Sequence, residues 1–428
     1  MRRVDIVTFH FPPQGGAGSL RLLSFARHLP AFGWKPRILT VGDLGGGAGD
    51  ATLAERLPDD VSVERWFTPL AAWPYGKTSP SDGRRTRLVR SLVRRALAPV
   101  ATYPDPALLW SVATGWRLGR SLREDPPDVF MTSSPPHSLH AAGLIAATAA
   151  PVPWAMDLRD PWESNRPFGV SGLRHAAGDF LESRALRNAA CVLANTPRLA
   201  AHLAAGMVPS DRIVVLPNGY DEDEIEVARV SAHAETDGPF TIVHAGAFYA
   251  GQRDPLEFLA ALAKAREVAG PRRGLRFLLP GDSAFHRKPA LLEKIRSLGL
   301  EDVVRSPGYV PHGEVLAMMA RADLLLLIQG QGFHLQVPSK AYEYLAVGRP
   351  VLAITGEGAT ADVVRSSAVG TVVPPADPDA LVRSLITLLQ RPRDPDPPPP
   401  PPTVLSRRAI AERLAGALSR AAAVKRVY

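Results

Sequence analysis

The sequence is poor in most of the features that would define a function outright. It has a single cysteine, Cys191. That excludes a disulfide framework and a cysteine-rich metal site, and it fits a reducing compartment. It lacks an apolar run of the roughly 18 residues needed to cross a bilayer. The nearest stretch, Leu139 to Met156, is interrupted by His140, Thr148, Pro151 and Pro153. Nothing reads as a signal peptide: Arg2 and Arg3 precede an apolar stretch, but Asp5 and His10 interrupt it and Pro12-Pro13 follows. No Gly-Lys-Ser/Thr follows the glycine-rich turn near the start, so there is no Walker loop. Nor is that turn a dinucleotide fingerprint, because Arg21 stands where a Gly or Ala is required. No nucleic-acid-binding motif and no solenoid-type repeat is present. These absences predict a cytoplasmic protein that crosses no membrane, with contact at the inner face of the plasma membrane left open.

What is present is ordinary for a folded chain. Its 428 residues suggest two or three domains. A 46% hydrophobic and 21% charged composition excludes a wholly disordered polypeptide. Fifty Lys and Arg against 42 Asp and Glu leave a net charge of +8, which favours anionic partners such as nucleotides or phospholipid surfaces. Nucleic acid is set aside, since no motif accompanies the charge.

Short apolar runs alternate with Ala- and Leu-rich stretches of helical period. In the first half the runs at 4–9, 37–41, 61–66, 129–132, 153–157, 191–194 and 213–216 predict strands. In the second half those at 240–245, 275–279, 303–306, 324–328, 351–354 and 370–373 do the same. Most are continuously apolar, as strands covered on both faces are. The expected fold is α/β: two Rossmann-like, doubly wound domains facing a cleft, residues 1–217 and 218–390. The break falls at Pro217-Asn218-Gly219 and the acidic run from Asp221 to Glu226. Residues 391–402 are mostly proline and predict an extended spacer. Residues 403–428 are again helical, with Leu405, Ile410, Leu414 and Leu418 spaced for one face.

Between Arg84 and Arg95 six arginines interleave with Leu88, Val89, Leu92 and Val93. On a helix this makes an apolar stripe beside a basic face. Such a helix can lie on an anionic bilayer, and it can equally be a solvated surface helix; the two readings stay open.

Four stretches are candidates for chemistry. Gly15-Gly16-Ala17-Gly18 leads from a strand into a helix, where backbone N–H groups and the helix dipole favour an anion; a tight turn is the plainer reading. Asp157, Arg159 and Asp160 leave a strand between Trp154 and Trp162. They suit either an acceptor contact in the crevice or a buried ion network. A second turn, His244-Ala245-Gly246, is followed by Arg253, a residue type suited to phosphate, or to pairing with Asp254. In Pro338-Ser339-Lys340-Ala341-Tyr342-Glu343, Ser339 is expected to cap a helix that ends at Gly348. Lys340 and Glu343, three apart, share a face: a cation for a diphosphate and a carboxylate for ribose hydroxyls, or a local ion pair.

In combination these motifs resemble glycosyltransferase family 4, in its bacterial polysaccharide-type branch with the GT-B fold. The resemblance rests on Phe-Pro-Pro-x-Gly-Gly-x-Gly-x-x-Arg, Asp-x-Arg-Asp-Pro-Trp, Leu-Pro-Asn-Gly-Tyr-Asp and Pro-Ser-Lys-x-x-Glu-Tyr-Leu-Ala-x-Gly-Arg-Pro-Val, in matching order over about residues 1–390. It implies an acceptor on the first domain, a nucleotide diphospho-sugar (UDP- or GDP-linked) on the second, and transfer with retention. It also implies no metal and no cofactor. By resemblance, Arg253 and Lys340 are the leaving-group cations, Gly16 and Gly18 belong to the loop near the diphosphate, and Gly246, Ser339 and Glu343 line the donor site. Asp160, Asp157 and Arg159 fall on the acceptor side. The acceptor would be a saccharide, a lipid-linked glycan reached through the Arg84–Arg95 segment, or a natural-product scaffold. The family ends in a helix that returns to the first domain, a role open to residues 403–428. One position departs from the pattern: the family's second Glu, eight residues before Glu343, is Leu335. Two alternatives follow, a nucleotide-sugar epimerase of the same fold and a catalytically silent sugar-nucleotide-binding subunit.

Overall fold

A computed structural model describes residues 1–42, 50–66, 104–162, 173–206, 208–232, 238–246, 248, 255–270, 274–281, 289–391 and 399–424. The Arg84–Arg95 stretch, Arg253 and residues 392–398 of the proline-rich segment lie outside the described residues. The chain forms two compact units: Met1–Asn218 joined by Arg407–Tyr428, and Gly219–Ser406.

The first unit is built on a seven-stranded parallel sheet of order β3-β2-β1-β4-β5-β6-β7. Its strands are β1 (Arg2–Thr8), β2 (Trp34–Val41), β3 (Ser62–Trp66), β4 (Val129–Ser134), β5 (Trp154–Leu158), β6 (Cys191–Ala194) and β7 (Ile213–Val215). β4, β5 and β6 are buried at every residue, because helices cover both faces. One face packs under the helices Ala17–His28 and Arg407–Ala423, where Leu22, Phe25, Ile410, Leu414 and Leu418 meet Val4, Ile6 and Met131. The helix Arg407–Ala423 therefore completes the core of the unit that begins the chain. On the other face lie Leu108–Glu124 and Leu139–Ala149. A Cβ on Gly143 would sit 2.2 Å from Trp154 Cζ2, so glycine is what lets the second of these helices approach β5.

The second unit has a six-stranded parallel sheet of order β10-β9-β8-β11-β12-β13. Here β8 is Phe240–Val243, β9 Leu275–Pro280, β10 Val304–Gly308, β11 Leu324–Gln329, β12 Val351–Thr355 and β13 Gly370–Val373. Phe258, Leu262 and Leu385, on the helices Leu256–Ala269 and Pro378–Gln390, fill one face. Ile225, Leu316 and Tyr342, on Glu222–Val230, His312–Arg321 and Ser339–Val347, fill the other.

Each sheet changes winding direction once, between β1 and β4 in the first unit and between β8 and β11 in the second. Ligands of open parallel sheets bind beyond the carboxyl ends of the strands at such a switch point. One local expectation is corrected: Ser339 is the first residue inside its helix, and Pro338, extended at φ −64° and ψ 139°, holds the cap position without a side-chain bond. Ser339 already lies within the first turn, and a capping hydroxyl must come from the extended residue ahead of it, where proline has none. Gly348 closes that helix in the left-handed region, φ 79°. Among the described residues no helix is long and apolar enough to cross a membrane.

Candidate active site

In the second unit the switch point is assembled around His244, Ala245 and Gly246, which follow β8. Gly246 has φ 95°, a conformation that favours glycine, and its N–H donates to Pro280 O at 2.9 Å. The N–H of Ala245 donates to Tyr344 Oη at 2.9 Å. Burial pushes the Tyr344 phenol well above its ordinary pKa, so it stays a neutral fixture.

Lys340, half-buried in the first turn of Ser339–Val347, reaches back to this turn. Its Nζ donates to Ala245 O at 2.8 Å and to His244 Nε2 at 3.0 Å. His244 is fully buried, and its Nδ1 lies 2.9 Å from Leu326 O on β11. A carbonyl only accepts and an ammonium only donates. His244 is therefore the neutral imidazole with its proton on Nδ1. Its ring stacks on Phe248 with centroids 4.2 Å apart. Lysine, histidine and carbonyl thus link the helix, β8 and β11 across the switch point. Gly246 borders the ammonium: a Cβ there would stand 3.9 Å from Lys340 Nζ.

Glu343 lies one turn further along, 6% exposed. Its Oε1 is 3.5 Å from His312 Nε2, and the same nitrogen is 3.6 Å from Glu224 Oε2. Ser339 is half-buried beside Lys340. Leu335 is buried, and its side chain has no polar atom to offer a sugar. Beyond the ends of β11 and β12 lies a cavity of about 230 Å³, lined among others by Gly330, Phe333, His334, Thr355 and Thr360. A larger hollow, about 660 Å³, is bordered by Arg266, Arg276, Asp302 and Arg305. It sits at the amino ends of the strands, away from the ligand end of a parallel sheet.

The first unit's switch point holds the other candidates. Gly16 precedes the helix Ala17–His28 with φ 101° and is exposed. Gly18 is glycine for a different reason: a Cβ there would meet Arg159 Nη1 at 2.4 Å. Arg159, 8% exposed, donates from Nε to Ser134 O at 2.6 Å and from Nη2 to Pro135 O at 3.1 Å. Burial pulls its pKa down, opposed by the charges of Asp160 and Asp157. Asp160 follows it, half-buried, at the carboxyl end of the sheet.

Asp157 corrects an expectation. It has no exposed surface, and its carboxylate accepts from Arg21 Nη2 at 2.9 Å, Arg21 Nε at 3.2 Å and Ser133 Oγ at 2.7 Å. Its oxygens are engaged inside the protein, so it builds the crevice wall and makes no acceptor contact from there. Arg21 also donates to Pro217 O at 2.6 Å and Leu216 O at 3.0 Å, fastening the segment after β7. Nearby, His140 Nδ1 and Trp154 Nε1 each lie 2.9 Å from Thr132 Oγ1, and burial lowers the His140 pKa to about 3.

The structure thus brings Lys340 to Gly246, with Ser339 and Glu343 on the same helix, and Arg159 to Gly18. The roles of Arg21, His244 and His312 were not legible from the sequence. The first two stood inside the quoted motifs, but their partners lie 136 and 96 residues away. Among the described residues no group of three or more His, Cys, Asp or Glu side chains is placed to hold a metal ion.

Residues 15–219 match the family described as glycosyl transferase 4-like domain, and residues 239–391 match glycosyl transferases group 1. A curated relative, the 2-deoxystreptamine glucosyltransferase of Streptomyces kanamyceticus, is 27% identical over 263 residues. That alignment spans 59% of this chain and 65% of the relative's length, just short of two thirds. Among solved structures, HepE of Anabaena in complex with UDP and glucose shares 19% identity at a TM-score of 0.54, covering 98% of this chain and 95% of its own. WaaG, a glycosyltransferase involved in lipopolysaccharide biosynthesis, shares 17% identity at a TM-score of 0.54, with 97% and 95% covered. At these identities the two structures bear on the fold.

Proposed function

The chain belongs to the glycosyltransferases of family-4 type with the GT-B fold, and from that premise we propose that it moves a sugar from a nucleotide diphospho-sugar to a hydroxyl acceptor. Transfer proceeds with retention, without a metal or cofactor. The observation that carries this reading is the placement of Lys340: a cation fixed at the switch point of the second sheet, against a glycine turn that leaves room for an oxoanion.

In the proposed reaction the bond from the anomeric carbon to the diphosphate oxygen breaks. Lys340, joined by Arg253, takes up the negative charge that develops on the departing diphosphate. Gly246 and Ser339 border the phosphates, and Glu343 accepts hydrogen bonds from the ribose. The acceptor oxygen bonds to the anomeric carbon on the face the diphosphate leaves, and its proton passes to a departing phosphate oxygen. Arg159 and Asp160 orient the acceptor on the first unit, while backbone N–H groups at Gly16 and Gly18 favour an oxoanion. A saccharide, a lipid-linked glycan or a natural-product scaffold meets this description. A lipid-linked acceptor brings in the Arg84–Arg95 segment as a contact with an anionic membrane surface.

A thermal-shift panel of UDP-, GDP- and dTDP-sugars tests the donor class, since a ligand that prefers the native state raises the melting temperature. UDP-sugars come first, as HepE was crystallised with UDP and glucose. No shift with any activated sugar overturns the reading. Leu335 favours one second reading, a subunit that binds sugar nucleotides without transfer. Calorimetric binding with neither hydrolysis nor transfer to any acceptor would establish it.

A further inference from the structure

We propose that His244 is a positioning residue for Lys340, holding its ammonium in place for a nucleoside diphosphate; this rests on the donor site assigned above. The geometry demands one protonation state. His244 Nε2 accepts from the Lys340 ammonium at 3.0 Å only while it carries a lone pair. Its Nδ1 proton is held by Leu326 O at 2.9 Å, which fixes the tautomer and the ring plane together. Phe248, stacked at 4.2 Å, keeps the ring from swinging away.

With no acceptor at Nε2, Lys340 would keep its anchor at Ala245 O, 2.8 Å away, and its ammonium would no longer be held from two sides. A diphosphate would then lose a cation already in place.

Three full-length proteins decide the matter: wild type, His244→Gln and His244→Phe. Glutamine offers a neutral acceptor oxygen to Lys340 and does not titrate; phenylalanine keeps the ring and removes the acceptor. UDP and GDP affinities are measured by calorimetry at pH 8. His244→Gln should bind within a few-fold of wild type, and His244→Phe should bind roughly 10- to 100-fold more weakly. Wild-type affinity in His244→Phe overturns the proposal.

A second readout needs no nucleotide. Acetylation of Lys340 by an amine-reactive reagent, followed by mass spectrometry at pH 8, should run several-fold faster in His244→Phe than in wild type or His244→Gln. Equal rates in all three overturn the proposal. If no protein binds UDP or GDP while the labelling rates differ as stated, the donor assignment fails and the link between His244 and Lys340 stands.

Discussion

Arg21 and Asp157 face each other across the first unit's switch point, Nη2 to Oδ1 at 2.9 Å, with 2% and 0% of their side chains exposed. The guanidinium also holds the carbonyls of Leu216 and Pro217, so one side chain ties the helix Ala17–His28, strand β5 and the segment after β7. Removing one partner leaves a buried charge uncompensated. Asp157→Ala or Arg21→Ala should each destabilise the first unit by about 3–5 kcal/mol, read from denaturant unfolding. The double variant should lose much less than the sum of the two. Additive losses would show that the pair is not coupled.

Lys340→Ala should lower turnover by roughly two to three orders of magnitude if the ammonium stabilises the leaving diphosphate. Its melting temperature should stay close to wild type, because the side chain is only half-buried. Lys340→Arg should not restore the rate, since a planar guanidinium cannot reproduce a point charge seated between Ala245 O and His244 Nε2. Wild-type turnover in Lys340→Ala would remove the residue from the mechanism.

Gly18→Ala should be costly beyond its size. The added methyl meets Arg159 Nη1 at 2.4 Å, and that guanidinium is already held by Ser134 O and Pro135 O. The clash must displace either the helix start or the arginine, at about 1–3 kcal/mol. Gly16→Ala meets no atom within 4 Å but must adopt φ 101°. Measuring turnover and unfolding for both separates a packing requirement from a backbone one: Gly18→Ala combined with Arg159→Ala should recover stability lost in Gly18→Ala alone, whereas Gly16→Ala should not respond.

His140 supplies a pH dependence of stability. Its pKa is about 3 in the folded protein, lowered by burial, against an ordinary 6.5. Below pH 6.5 the unfolded chain takes up a proton that the folded chain refuses, so stability is full above that pH and falls as acid is added, down to about pH 3. The shift of about 3.5 pH units corresponds to about 5 kcal/mol at most. His140→Leu should flatten this part of the profile when unfolding free energy is followed from pH 7 to pH 4. An unchanged slope would mean that His140 takes up its proton without unfolding.

The sheets were legible because a strand buried on both faces must be apolar along its whole length. The run 191–194 became a strand with those very bounds, Cys191–Ala194. Glycine positions were legible as turns, but not their separate causes: Gly16 answers to φ, Gly18 to Arg159. Side-chain partnerships were not legible. Asp157, Arg159 and Asp160 read as one cluster from their adjacency, yet Asp157 turns to Arg21 and Arg159 to two carbonyls. On a strand, residues 157 and 159 point the same way only if the extended backbone continues, and β5 ends at Leu158. Lys340 was legible as a cation on a first turn; that a histidine holds it depends on two strands meeting at one point.

The helix Arg407–Ala423 has a bearing on biosynthesis. Ile410, Leu414 and Leu418 cover the same sheet face as Leu22 and Phe25, although some 190 residues of a separate sheet are translated in between. Emerging from the ribosome, the opening half of the chain therefore exposes an oily face until its closing helix arrives. The intervening half carries its own core, whereas the opening half shows, over just that interval, the kind of uncovered apolar surface that makes a folding chain prone to aggregate.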